Sequence, residues 1–175
     1  MPALGIRAPK VNVAMWNLAS RRILFQQFSD LHYRLVRQHV RRSIYAARHY
    51  AAMKRQIADY FKNHRRDTPK LASYFDALGE AEACLLNVHI LADCLHALDP
   101  NLVSTDGHLR VKLLANSIKH FGGKSKGSSA NAIVPIYFVN HGLSNGVHEI
   151  SFSDLHAIVR ENVSAAIAII SRKDP

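Results

Sequence analysis

This chain of 175 residues has few cysteines, and it lacks long apolar runs and a secretory leader pattern. With only Cys84 and Cys94, a disulfide-stapled secreted scaffold is disfavoured, so we expect a reducing, cytoplasmic setting. The longest apolar stretch, residues 163–170, is far shorter than the ~18 to 20 residues of a membrane span, so no membrane partner is expected. The length predicts one domain over residues 1–175, with residues 1–12 as a flexible N-terminal arm.

Acidic residues are almost absent from the first third of the chain. Residues 1–66 contain 14 Lys and Arg against 2 acids, a net charge of +12, whereas residues 67–175 contain 9 against 11, a net charge of −2. The formal charge of +10 therefore lies in the first segment. A transit peptide is disfavoured because such peptides are short, Ser-rich arms, so the charge indicates an acidic partner.

Glycine and proline are missing from residues 13–63, where apolar residues recur at helical spacing. The segment is predicted to be helical. A break is expected somewhere along it, because a single helix would be about 75 Å long, well beyond the diameter of a domain of this size. Thr68-Pro69 ends it. A second helix is predicted over residues 70–98, and a third begins near Asp106 and stops at Gly122-Gly123.

The pattern then changes from helical to β. Residues 133–139 and 147–152 are rich in β-branched and aromatic side chains, and Asn145-Gly146 between them supplies the positive φ of a hairpin turn. Pro135 places the first strand at an edge. Ser153 and Asp154 are predicted to cap a last helix that runs to about residue 170. We therefore expect an all-α, up-and-down bundle of four or five helices with one β-hairpin at about 133–152, before the last helix.

A row of cations lies within the first helical segment. It comprises five cations at strict seven-residue intervals and one beside them, and we call these six residues the basic row: Arg34, Arg37, Arg41, Arg48, Arg55 and Lys62. A seven-residue step drifts only about 20° around an α-helix, so the row stays on one side. His39 and Arg42 are expected alongside it. Almost no acids are interleaved to form the i,i+4 pairs of an ordinary exposed helix.

Such a row suits a phosphate backbone, because repeated cations release counterions from it. Tyr33, Tyr45 and Tyr50 are interspersed and could stack on bases. The sequence therefore indicates a nucleic-acid partner, with RNA favoured. Two other interpretations remain open. The row could dock an acidic protein on a non-catalytic interaction module, or it could be a solvated helix face.

A second set of polar residues ends the third helix. Asn116 and His120 are four residues apart and share a face, with Lys119 beside them. His120 could act as a general acid or base near neutral pH, Asn116 could position a phosphate, and Lys119 could stabilise charge. The alternative is a polar last turn whose cations only complement the helix dipole.

At these residues the chain resembles HEPN domains, helical bundles that include RNA-cleaving toxins and defence nucleases. Their signature is Arg, a polar residue, three variable positions and then His. Here Asn116 stands at the position of the polar residue and His120 at that of the His. The Arg position is Ala115, although the resemblance assigns phosphate contact and charge stabilisation to that Arg. It implies a metal-independent ribonuclease and paired copies of the chain. Residues 116–121, 133–142 and 151–156 also resemble a group of uncharacterised bacterial helical proteins, which implies no activity.

A metal-binding helical-bundle enzyme is the last alternative. Several ligand-type residues lie on or near one side of the second helix, namely Glu82, Cys84, His89, Asp93, Cys94 and His96. Bundle metal sites usually draw carboxylates from several helices, and the first helix has almost none. We therefore expect no metal and no cofactor, and the sequence leaves open whether the protein is an enzyme.

Overall fold

The computed structural model describes residues 30–63, 71–98, 105–119 and 135–171. Within these ranges the chain forms four helices, α1 (Asp30–Asn63), α2 (Leu71–Leu98), α3 (Asp106–Lys119) and α4 (Phe152–Ser171). Three short strands, β1 (Tyr137–Val139), β2 (Gly142–Ser144) and β3 (Glu149–Ser151), lie between α3 and α4. The predicted helical bundle with an insertion before its last helix is confirmed. The predicted arm at residues 1–12 lies outside the described residues.

The helices pack around a core in which α1 and α3 share no extensive interface. The most extensive interface joins α1 to α2, and α1 also packs on α4. Helix α3 packs on α2, on α4 and on β3. Because α1 and α3 each pack on both α2 and α4, they occupy diagonal corners of the bundle. The outer faces of α1 and α3 therefore point to opposite sides of the molecule.

The long first helix is unbroken over its described part. From Asp30 to Asn63 its 34 residues extend about 51 Å. The break expected within residues 13–63 does not occur between residues 30 and 63, and the rest of that range lies outside the described residues. Helix α1 is held along its length by buried residues at helical spacing, Val40, Ala47, Tyr50, Met53 and Ile57. Alanines at the contact, such as Ala77 and Ala81 of α2, let the helices approach closely.

The insertion is a three-stranded antiparallel sheet in the order β1-β2-β3, one strand more than a hairpin. The Asn145-Gly146 turn joins β2 to β3, and Gly146 has φ of 84°, as the turn residues predict. A second tight turn, at Asn140 and His141, joins β1 to β2 and was not predicted. Strand β1 lies at an edge as predicted, but it begins at Tyr137, so Pro135 is not part of it. A Cβ atom at Gly142 would collide with the backbone carbonyl of Ile150, so only glycine fits there.

The N-terminus of α4 is capped two residues earlier than the sequence suggests. The backbone N–H of Asp154 donates to Ser151 Oγ at 3.0 Å, so Ser151 is the capping residue rather than Ser153. The hydroxyls of Ser151 and Ser153 are 2.8 Å apart. Ser151, the last residue of β3, thus caps the helix that follows it directly.

Candidate nucleic-acid interface

The basic row lies on the outer face of α1. Of its six residues only Arg41 is half-buried, and the exposed ones are Arg34, Arg37, Arg48, Arg55 and Lys62. Fully buried residues of α1 such as Ala46 and Tyr50 lie on the opposite side. Because α1 is unbroken, the row extends about 42 Å from Arg34 to Lys62. One side of the helix therefore presents cations to solvent along most of its length.

Two cations expected beside the row belong to the interior instead. Arg42 turns towards α2, where its Nη1 donates to Asn87 Oδ1 at 3.0 Å. His39 is fully buried, and the Ser43 hydroxyl below it lies 2.9 Å from the His39 carbonyl oxygen and 3.2 Å from that of Asn162. Burial lowers the pKa of His39 from 6.5 to about 4, and the backbone of Asn162 offsets part of the shift. His39 is therefore neutral at pH 7 and contributes no charge to the row.

Of the tyrosines near the row, Tyr50 is buried and Tyr45 is exposed. Tyr50 is fully buried and its hydroxyl donates to the carbonyl oxygen of Phe152 at 3.2 Å, so the prediction that it stacks on a base is wrong. Burial raises the pKa of Tyr50, as does the nearby Cys84. Tyr45 is 36% exposed and lies between Arg41 and Arg48 in sequence. The side chain of Tyr33 lies outside the described part.

The middle of the row borders a shallow groove. Arg48 and Arg55 stand on either side of Ala51 and Ala52, whose small side chains leave an open volume of about 660 Å³. Lys54 lines the same groove, and so do His49 and Glu80, the latter from α2. His49 Nδ1 is 2.6 Å from Glu80 Oε2, so the one carboxylate of the groove is already paired. The groove therefore offers cations to an anionic ligand.

The proposed catalytic set lies elsewhere in the molecule. Asn116 is half-buried on α3 and Lys119 is exposed in its last turn, whereas His120 lies outside the described residues. Because α3 shares no extensive interface with α1, Asn116 and Lys119 do not form part of the basic row. Ala115, at the position of the HEPN arginine, is fully buried.

Lys119 lies close to His89 of α2. Burial lowers the pKa of His89, Asp93 opposes the shift, and Lys119 and Lys112 lower it further. His89 Nε2 is 3.8 Å from Asp93 Oδ2. This is the place where two of the sequence-derived sets, the α3 turn and the ligand-type residues of α2, come together.

The ligand-type residues of α2 do not converge on a metal site in the structure. Among residues 30–63, 71–98, 105–119 and 135–171, no three His, Cys, Asp or Glu side chains are placed to hold an ion. Cys84 and Cys94 are free and buried. Burial, with a contribution from Glu80, raises the pKa of Cys84 to about 12, so this thiol is not ionised at pH 7.

One group of residues was missed from the sequence. Around the end of the α1–α2 hairpin, Phe61 and Phe75 are 50% and 61% exposed, and the rings of Tyr60 and Tyr74 lie between them with centroids 5.8 Å apart. The group combines residues from two helices, so no local pattern in the sequence predicts it.

No helix in the described part of the chain is both long and apolar enough to cross a membrane. Comparisons of the chain with protein-family models, with curated proteins and with solved structures give no match. Function is therefore inferred from the residues of the chain itself.

Proposed function

We propose that the protein binds nucleic acid, RNA in preference, through the basic row on α1. The observation that supports this proposal is the exposure of five of the six cations along one side of an unbroken helix, Arg34, Arg37, Arg48, Arg55 and Lys62. RNA is favoured over DNA because the α3 segment resembles HEPN domains.

The middle of the row has no acid close to it on its own helix. Asp30 and Asp59, near the two ends of α1, are the acids of this helix, and no Asp or Glu lies three or four residues from Arg37, Arg41 or Arg48. An ordinary exposed helix has acids four residues from its cations, and these pairs reduce its positive potential. A strong positive potential raises the affinity of a polyanion in two ways. The cations contact its phosphates directly, and the counterions of the polyanion are released.

The kind of strand is indicated by Tyr45. Its ring is partly exposed on the face of the row, where a base from a single strand could stack on it. The bases of a duplex are already stacked on one another and cannot do so. We therefore propose single-stranded RNA as the preferred form, held by phosphate contacts to the row.

Cleavage of the bound RNA is a separate property, which the resemblance implies for Asn116, Lys119 and His120. A chelator-treated sample should cleave RNA, and His120→Ala should abolish the activity, if the resemblance extends to catalysis. A wild-type protein that binds RNA and never cleaves it would leave binding as the function and remove the ribonuclease. The same resemblance implies a homodimer, which sedimentation of the full chain would detect.

Binding is tested by fluorescence anisotropy with a labelled 20-nucleotide RNA, its duplex and an acidic peptide of equal charge. We expect the order single strand, duplex, peptide, and a loss of affinity in the double variant Arg48→Ala/Arg55→Ala. The matched control is Arg110→Ala/Lys112→Ala, which removes two exposed cations from α3. If the peptide binds more tightly than either RNA, the row docks an acidic protein and the proposal is wrong.

A further inference from the structure

A histidine and a glutamate form a close pair at one edge of the groove on α1. His49 of α1 and Glu80 of α2 both line this groove, and His49 Nδ1 is 2.6 Å from Glu80 Oε2. Both side chains keep about a third of their surface exposed, 35% for His49 and 29% for Glu80. The pair therefore joins two helices and still borders the open volume of the groove.

The carboxylate determines which nitrogen of His49 carries the proton. An ionised carboxylate can only accept a hydrogen bond, so the proton of the neutral ring lies on Nδ1 and is donated to Glu80 Oε2. Nε2 then carries the lone pair and can take up a proton. The same carboxylate holds the ring in one orientation and stabilises the imidazolium that forms when Nε2 is protonated. His49 is thus arranged as a general base.

Two arginines of the basic row border the same part of the groove. Ala52 lines it with a single methyl group, and Arg48, His49 and Arg55 lie four before, three before and three after this alanine on α1. Residues at these spacings are neighbours on a helix surface, so the three side chains surround the space above Ala52. Lys54 lines the groove further round the helix and is not one of these neighbours.

We propose that RNA bound by the basic row is cleaved in the depression above Ala52, with His49 as general base and two arginines as the groups that stabilise the phosphate. This inference rests on the proposed function, since the row must first bind the RNA. Because Arg48 and Arg55 belong to the row, a strand that lies along it has a phosphodiester beside His49. Lys119, at the end of α3, does not form part of the row.

The reaction is an internal transesterification. His49 Nε2 removes the proton of a ribose 2′-hydroxyl, the 2′-oxygen forms a bond to the adjacent phosphorus, and the bond from this phosphorus to the 5′-oxygen of the next nucleotide breaks. The 5′-oxygen takes a proton from a water molecule, and the hydroxide that results recovers the proton held by His49. Arg48 and Arg55 donate to the two non-bridging oxygens, where negative charge develops. The products are a 2′,3′-cyclic phosphate and a free 5′-hydroxyl.

The test is cleavage of the labelled 20-nucleotide RNA by the full chain in the presence of a chelator. We expect products with 2′,3′-cyclic phosphate ends, and no cleavage of an RNA whose 2′-hydroxyls are methylated. His49→Ala should lower kcat about 100-fold or more and retain the wild-type affinity for RNA. Glu80→Gln removes the charge that orients His49, so it should lower kcat about tenfold with little change in KM.

A second pair of the same two residue types supplies the matched controls. His141 Nε2 is 3.0 Å from Glu149 Oε1, and neither residue lines the groove. His141→Ala and Glu149→Gln should therefore cleave RNA as the wild type does. A contaminating ribonuclease would be present in all four variants alike and would not separate the two pairs. Melting curves and RNA affinities confirm that each variant is folded.

The outcomes separate this site from the proposed function. If RNA binds but is not cleaved, or if His49→Ala cleaves it as fast as His141→Ala does, the proposed function stands and the site in the groove is refuted. If His120→Ala abolishes cleavage and His49→Ala does not, the reaction belongs to the end of α3 and the site is refuted as well. If the RNA does not bind at all, the proposed function itself fails, and this inference fails with it.

Discussion

Removing two arginines from the middle of the basic row should change how RNA binding depends on salt. Arg48 and Arg55 are exposed, and both border the groove of α1, so Arg48→Ala/Arg55→Ala removes two phosphate contacts and leaves the core intact. Alanine is also a better helix former, so α1 should not weaken.

The magnitude follows from the number of phosphates contacted. With single strands, each neutralised phosphate adds about −0.7 to the slope of log K against log salt. If all six residues of the row contact phosphates, the wild-type slope is about −4, and that of the double variant is about −3. Between 50 and 200 mM salt, the wild type should lose roughly 300-fold in affinity and the variant roughly 50-fold.

The measurement is fluorescence anisotropy with a 20-nucleotide RNA at three or more KCl concentrations. The control Arg110→Ala/Lys112→Ala should keep the wild-type slope, because α3 lies at the corner diagonal to α1. A wild-type slope near zero, or equal flattening in both double variants, would refute phosphate contact by the row.

Three further predictions concern single side chains. Tyr45→Ala should weaken single-stranded RNA binding by about 1 to 3 kcal/mol without changing the salt slope, and Tyr45→Phe should not. Because the folded pKa of His39 is about 4, against 6.5 ordinarily, the unfolded state binds the proton first as pH falls. Stability should therefore decline by about 3 kcal/mol between pH 6.5 and 4, and urea unfolding of His39→Leu should decline less. Gly146→Ala should cost about 1 to 2 kcal/mol for its positive φ, whereas Gly142→Ala should disrupt the sheet and lower the melting temperature much further.

Each of these has an outcome that would contradict it. Equal losses for Tyr45→Ala and Tyr45→Phe would mean that the hydroxyl and not the ring contacts RNA. An identical pH profile in His39→Leu would place the acid sensitivity at other histidines. If Gly142→Ala melts like Gly146→Ala, β2 does not approach β3 as closely as the structure has it.

The helices were predictable because their signals are local. Apolar periodicity and the Gly and Pro positions set the ends of α2 and α3 to within a residue or two. The extra strand was missed because β1 and β2 are only three residues each and a two-residue turn without glycine separates them. The cap was placed at Ser153 and not at Ser151 because Ser151, Ser153 and Asp154 lie within four residues and each is a residue type that caps helices.

The basic row was predictable as a row, but its neighbours were not. Seven-residue spacing indicates which residues share a side of a helix, and it does not say where the next helix packs. Helices α2 and α4 cover the sides that carry Arg42 and His39, which is why these two were wrongly placed beside the row. The contact of Tyr50 with His156 joins residues about a hundred positions apart, and only the packing of α1 on α4 reveals it.

The buried hydroxyls of α1 also determine its register against α4. Ser43 lies 3.2 Å from the carbonyl oxygen of Asn162, and Tyr50 donates to that of Phe152 at 3.2 Å. Apolar contacts alone would tolerate a slide of one helical turn, about 5.4 Å. Such a slide would leave the Tyr50 hydroxyl enclosed without its partner, at about 1 to 3 kcal/mol, whereas the Ser43 hydroxyl would keep the His39 carbonyl oxygen of its own helix. The Tyr50 hydroxyl therefore does most to fix the register of α1 against α4.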